Sequence, residues 1–343
     1  MHTASHTARR SPSRPVWLRP FASLGVGALL WLCGCDAPAP AATPAETAAA
    51  PPREHFTLPA LRRARRTHHR HRGDPTPPPA PPSDVFELVR YAAPLGDNVA
   101  YVTPVRPSPD GARRPGLIWL SGGFRWSLGA HMWTPGPPEN DQSATAFLMP
   151  DLVLMRPALR GVNGNPGDVE CFVGEVDDVL AAADYLATRP DVDPARIYLG
   201  GHSTGGTLAL LAAESSARFR AVVALGAAPD ARGYGETRCI PSDATTAEAE
   251  LRAPALYLHE IRTPSVVAEG ALGSWSRTYP ALEAQRGTAP VTILSVPGLD
   301  HLTLVRPACL ALLEAIRADT ASDTTFSLRS EAILGHAAPP PAP

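Results

Sequence analysis

The sequence carries little net charge, few cysteines, no internal repeat and no apolar run of comfortable membrane-spanning length. A formal net charge of −2 over 343 residues excludes the chain-wide basic balance of a nucleic-acid binder, and no motif suggests nucleic-acid recognition. Without a repeat, the chain does not read as a stacked array. The five cysteines leave room for an isolated bridge, but their spacing alone does not pair them. The longest apolar run, residues 21–32, is too short for an easy bilayer crossing.

That short run instead has the layout of a targeting signal. Arg9, Arg10, Arg14 and Arg19 precede it, and Leu32-Cys33-Gly34-Cys35 closes it, as charged and apolar regions do in a signal peptide. The closing residues resemble a bacterial lipobox, which implies that Cys35 becomes the lipidated first residue of a membrane-anchored envelope protein in the periplasm or on the outer surface. An ordinary secretory signal ending in cysteine is the alternative. Both readings take the chain out of the cytoplasm.

Residues 1–34 are thus assigned to a signal and residues 35–83 to a disordered, extended tether. The tether is Ala/Pro-rich, strongly basic from Arg62 to Arg72, then Pro-rich again, a composition that cannot build a core. Its basic block suits either an anionic surface or a solvated linker. His68, His69 and His71 lack a fold that would fix metal geometry, so no metal site is assigned. Residues 84–320 are expected to form one domain of roughly 240 residues, with 321–343 as a loose tail.

Within the domain, strands and helices alternate. Residues 86–91 and 98–102 read as an initial antiparallel pair. Residues 116–120, 152–155, 221–225, 255–258 and 291–296 are short apolar runs of buried-strand type. Val176, Val179, Leu180, Ala183 and Leu186 or Ala187 recur at helical spacing, and a last helix is expected from about Pro307 to Ala318. This alternation predicts a mostly parallel sheet with helices on both faces and ligands at the strands' carboxyl ends.

The most informative stretch is Ile197-Tyr198-Leu199-Gly200-Gly201-His202-Ser203-Thr204-Gly205-Gly206. It predicts a strand, a glycine-bracketed serine and a helix, the context in which G-x-S-x-G is a nucleophile elbow. Gly201 and Gly205 are required where strand end and helix start pass too close for side chains. The Thr204 N–H, at the helix start, is placed to bind an oxyanion. His301, in the loop after the last apolar strand, is the best-placed downstream base for Ser203. His259 ends an expected strand, His336 lies in the tail, and His202 is read as packing.

Taken together, Ser121-Gly122-Gly123-Phe124, Arg160-Gly161, the D-x-x-R-I-x-x-x-G-x-S-x-G-G run and Asp300-His301 resemble the catalytic domain of prolyl-oligopeptidase-type α/β-hydrolases over residues 110–316. The resemblance implies an α/β-hydrolase fold, Ser203 as nucleophile, His301 as base, and an oxyanion site from the Thr204 N–H and a backbone N–H near Gly123. No cofactor is implied. Prolyl oligopeptidases carry a tyrosine where this chain has Ser121, and there is no room here for their propeller. Both departures favour ester substrates, with short peptides second.

The acid is the irregular element. By family pattern it belongs about three residues past the strand expected to end at Leu258-His259, where Thr263 stands. Glu260 in the same loop is the first choice and Asp230, after the preceding strand, the second. The irregularity leaves open a catalytically inactive hydrolase fold kept as a binding or scaffold module. Cys171 and Cys239 both fall above the active edge, where export permits a disulfide. Cys309 is expected in the core, and residues 231–250 as a small lid.

Overall fold

The computed structural model describes residues 57–106, 111–124, 126–235, 239, 245–320, 322 and 324–337. Cys35, the signal and the first part of the tether lie outside these residues. No helix among those described is long and apolar enough to cross a membrane.

Strands apolar on both sides must be covered on both sides, and this requirement organises the sheet. Strands β3 (Arg114–Leu120), β4 (Val153–Pro157), β6 (Val222–Leu225) and β7 (Ser265–Gly270) are buried along their whole length. With β1 (Glu87–Ala93), β2 (Gly96–Val102), β5 (Val192–His202) and β8 (Val291–Val296) they form an eight-stranded sheet of order β1-β2-β4-β3-β5-β6-β7-β8. Strands β1 and β2 are an antiparallel hairpin, β2 runs antiparallel to β4, and every other pairing is parallel.

Two glycines show which helix covers which face. A Cβ on Gly116 would lie 3.3 Å from Leu186 of helix α2 (Glu175–Thr188), and one on Gly200 would lie 3.5 Å from Leu312 of helix α4 (Val305–Ala318). Gly200 pairs with Trp119, an odd number of residues along β3 from Gly116, so the two helices occupy opposite faces. Helix α3 (Thr204–Ser215) is buried from Thr204 to Glu214, which explains why its sequence is apolar nearly all round.

Helix α2 begins with Glu175, Asp177 and Asp178, a placement that complements the helix dipole. Glu175 is fully buried. Its Oε1 accepts the N–H groups of Glu170 (2.7 Å) and Cys171 (3.1 Å), while Oε2 has no partner. Burial outweighs those hydrogen bonds and pushes the carboxyl up to about 7. A carboxyl held above its unfolded value contributes stability that is full below that value and is lost as pH rises through about 7. Glu175→Gln is therefore expected to melt with the wild type near pH 4.5 and several degrees higher at pH 8, as read by thermal denaturation at both pH values.

Three expectations are corrected. Residues 255–258 are not a strand. Pro254 opens a 3₁₀ turn to Leu256, a second turn covers Leu258–Glu260, and the strand that belongs here is β7, whose Val266 and Val267 suit the pleat. The described part of the tether, from Thr57, is docked and not free. Helix α1 (Leu58–Ala64) is capped by the Thr57 side chain and buries Leu58 and Leu61. Within the helix Arg62 pairs with Asp177, and beyond it Arg65 pairs with Glu250 (both 2.8 Å) and Thr67 with Glu248 (2.9 Å). His71 then forms a bridge with Val169. Acidic partners on the domain thus convert part of a basic run into a strap. The tail likewise packs, through Leu328 and helix α5 (Ser330–Gly335), whose Ile333 is buried.

Candidate active site

Ser203 stands between β5 and α3 with φ 55° and ψ −120°, a conformation costly for a non-glycine residue and typical of an elbow. The turn is enforced by contact. A Cβ on Gly201 would sit 2.4 Å from the Gly205 carbonyl oxygen, and one on Gly205 would sit 2.2 Å from that of Leu120. The Ser203 N–H donates to the Leu225 carbonyl (2.8 Å) at the end of β6. The side chain opens into a cavity of about 460 Å³ that His301, Gly122, Gly123, Ser121, Gln142 and His202 also line.

The loop after β3 lies directly on the elbow. A Cβ on Gly122 would approach the Ser203 Cβ to 2.9 Å, and Gly123 has φ 81°. The Phe124 N–H donates to the Thr204 hydroxyl (3.1 Å), which ties this loop to the start of α3. Gly123 therefore shares the cavity with Ser203, while the Thr204 N–H belongs to the first turn of α3, where donors lack intrahelical partners. Ser121 Oγ accepts from the buried Arg156 guanidinium (2.6 Å).

Lining the same cavity as Ser203 is His301, after β8. Its Nδ1 lies 3.0 Å from Oε2 of Glu269, a carboxylate with no exposed surface at the end of β7. Glu269 also accepts the N–H of Gly270 (2.9 Å) and of Trp275 (3.4 Å). Two glycines make the room. A Cβ on Gly226 would strike the His301 ring at 2.5 Å, and one on Gly273 would strike the Glu269 carboxyl at 2.4 Å. The β7–β8 register, with Gly270 opposite Val296, brings the end of one strand to the loop that carries His301.

The structure therefore puts Glu269 beside His301 and places the two expected acids elsewhere. Glu260 accepts the Leu58 N–H (3.3 Å) under the strap, and burial raises its pKa. It neighbours Glu214, whose carboxyl oxygens are buried without partners and whose pKa burial also raises. Asp230 caps the turn at Ala231–Tyr234 and pairs with Arg232 (2.5 Å). Glu269 was missed because β7 was sought ten residues too early. The signal for it was an acid closing a β-branched run just after Pro264.

Two further groups reach the site. Tyr234, closing the 3₁₀ turn at Ala231–Tyr234, is 2.8 Å from the Thr207 hydroxyl and within hydrogen-bond reach of Ser203, and burial pushes its phenol up to about 12. Cys171 and Cys239 form a disulfide that ties residue 239 to the loop before α2. His71 Nδ1 lies 3.9 Å from Cys171 Sγ, but with both sulfurs in the disulfide neither is a thiolate ligand. Cys309 is free and buried.

A serine on a strained strand–helix turn, at the carboxyl edge of a mostly parallel sheet and sharing a cavity with a histidine paired to a carboxylate, is the arrangement of the α/β-hydrolase fold. Residues 170–255 match the prolyl oligopeptidase family. Similar solved structures include a puromycin-hydrolyzing peptidase of Mycobacterium tuberculosis, at 21% identity and TM-score 0.52 over 66% of this chain and 39% of that one. Another is an acylaminoacyl peptidase of Pyrococcus horikoshii, at 16% identity and TM-score 0.53 over 73% of this chain and 44% of that one. A puromycin hydrolase aligns at 18% identity and TM-score 0.54 over 70% and 40% of the two chains. The chain thus spans less than half the length of these proteins. No curated protein matches the sequence.

Proposed function

We propose that this chain is a serine hydrolase of the prolyl-oligopeptidase type, acting through Ser203, His301 and Glu269 on carboxylic esters and, second, on short peptides or amides. The observation that carries this reading is the 3.0 Å contact between His301 Nδ1 and the buried Glu269 carboxylate. It supplies the acid whose apparent absence was the sole support for an inactive binding module. Ser203 Oγ attacks the substrate carbonyl. His301 Nε2 takes its proton and returns it to the leaving group, and Glu269 holds the ring with its proton on Nδ1. The resulting acyl-enzyme is hydrolysed by water in a second round of the same proton transfers. The Thr204 N–H and the backbone at Gly123 supply the oxyanion donors. No step uses a cofactor.

A fluorophosphonate probe tests this reading, because labelling needs an activated serine. The expected result is stoichiometric labelling at Ser203 together with turnover of p-nitrophenyl acetate. A pure, folded protein that did neither would remove the hydrolase assignment.

The same proposal extends to location. Cys35 is lipidated and holds the enzyme at the cell envelope, and the Cys171–Cys239 disulfide is consistent with an oxidising compartment. Cys35→Ser is expected to move the protein from the membrane fraction to the soluble one. Absence of an alkyne fatty-acid label on the wild type would sink the anchor.

A further inference from the structure

His202, next to the nucleophile in sequence, has 2% of its surface exposed and no part in the steps above. Its Nε2 lies 2.9 Å from the backbone carbonyl of His301, its Nδ1 lies 2.8 Å from Gln142 Oε1, and its ring centre is 4.6 Å from that of His301. Gln142 in turn contacts the Asn140 amide at 2.9 Å. All four residues line the cavity that holds Ser203.

We propose that His202 is a positioning residue for His301, the last link of a one-way hydrogen-bond chain that runs from Asn140 through Gln142 and His202 to the His301 carbonyl. This inference rests on the reading of His301 as the base. A backbone carbonyl only accepts, so the imidazole proton facing it sits on Nε2. Burial holds His202 down at about 3, so the ring is neutral near neutral pH and Nδ1 carries no proton. Nδ1 then requires a donor. The structure sets the Gln142 oxygen toward the ring and its NH₂ toward Asn140 Oδ1. Turning both amides over, an exchange of O and N that leaves their positions unchanged, supplies the donor to Nδ1 and an acceptor to Asn140. Every member then donates once in the same direction.

The mechanical consequence comes from covalent connection. His202 and Ser203 are adjacent, so a bond from the His202 ring to the His301 backbone sets the distance from base to nucleophile through very few torsions. Without it, and among the described residues, the loop that carries His301 is tied to the elbow by packing alone. A misplacement on the ångström scale costs about a hundredfold in rate.

His202→Phe keeps a ring of similar size and removes both nitrogens. It is expected to lower kcat by about 10- to 100-fold with KM within about threefold, and to broaden or abolish the downfield ¹H NMR signal of the His301 Nδ1–H bonded to Glu269. His202→Gln, whose Nε2 reaches as far as the imidazole Nε2, is expected to restore most of kcat and the signal. His202→Asn, one methylene shorter, is not. Gln142→Ala, at the cavity rim, is expected to give a smaller loss in kcat and keeps the proposal testable if His202→Phe does not fold. Wild-type kcat with an unmoved downfield signal in His202→Phe would overturn it. So would equal kcat and signal in the Gln and Asn variants, which would mean that the side chain only fills space. Absence of turnover in the wild type would count against the base assignment, while the NMR signal would still report whether His202 holds the histidine.

Discussion

Ser203→Ala is expected to lower p-nitrophenyl acetate turnover by about four to six orders of magnitude, the scale seen when a triad nucleophile is removed. The change deletes one oxygen from a side chain that opens into the cavity. Alanine meets the same positive-φ demand as serine, so the backbone strain is unchanged. The β5–α3 turn remains enforced by Gly201 and Gly205. Far-UV circular dichroism and the thermal midpoint should therefore stay close to wild type. Turnover retained by the pure variant would move the nucleophile elsewhere and dismantle the proposed mechanism. A coincident drop in thermal midpoint of many degrees would mean that the loss reads unfolding.

The second large effect is expected at the acid. Glu269→Gln preserves shape, and its side-chain oxygen can still accept the Gly270 N–H now bonded to Oε1 (2.9 Å). Its amide nitrogen, however, would face His301 Nδ1 as a donor. The imidazole must then carry its proton on Nε2, where it cannot accept one from Ser203. The expected loss in kcat is about three to four orders of magnitude with KM little changed, as for the acid-to-amide change in a serine-protease triad. Glu260→Gln and Asp230→Asn should each stay within about threefold, since neither side chain meets His301 and exposed or peripheral changes rarely exceed small effects. The ordering is decisive. A greater loss at Glu260 would mean that the carboxylate facing His301 is not the working acid, and small losses at all three would mean a Ser–His dyad.

The elbow, the histidine and the missed acid differ in how far apart their signals lie along the chain. Gly201, Ser203 and Gly205 occupy five consecutive residues, and the steric conflict they resolve arises within that same strand–turn–helix. His301 is nearly as local, a histidine in the loop between the last apolar run and the last helix. Glu269 depends on where β7 begins. Residues 254–260 are as apolar as a strand, with Tyr257 and Leu258 buried, yet Pro254 and the strap above them favour 3₁₀ turns. Composition could not separate a buried turn from a buried strand, and the error displaced the search for the acid.

The strap repeats the lesson. A stretch of arginine, histidine and proline has no core of its own, so in isolation it reads as solvated linker. Its order comes from partners distant in sequence: Asp177, Glu248, Glu250 and Val169. His202 is the same case in miniature, since its role depends on a carbonyl 99 residues away.

By itself the sequence determined the alternating strands and helices, the mostly parallel sheet, the serine turn and the histidine that faces it. Each of these follows from the backbone preferences and burial pattern of a short window. Only the tertiary structure decided which carboxylate holds that histidine, that the basic segment docks, and that Cys171 meets Cys239. Those outcomes rest on strand register and on pairings between segments far apart, where many partners are chemically equivalent and only three-dimensional adjacency selects one.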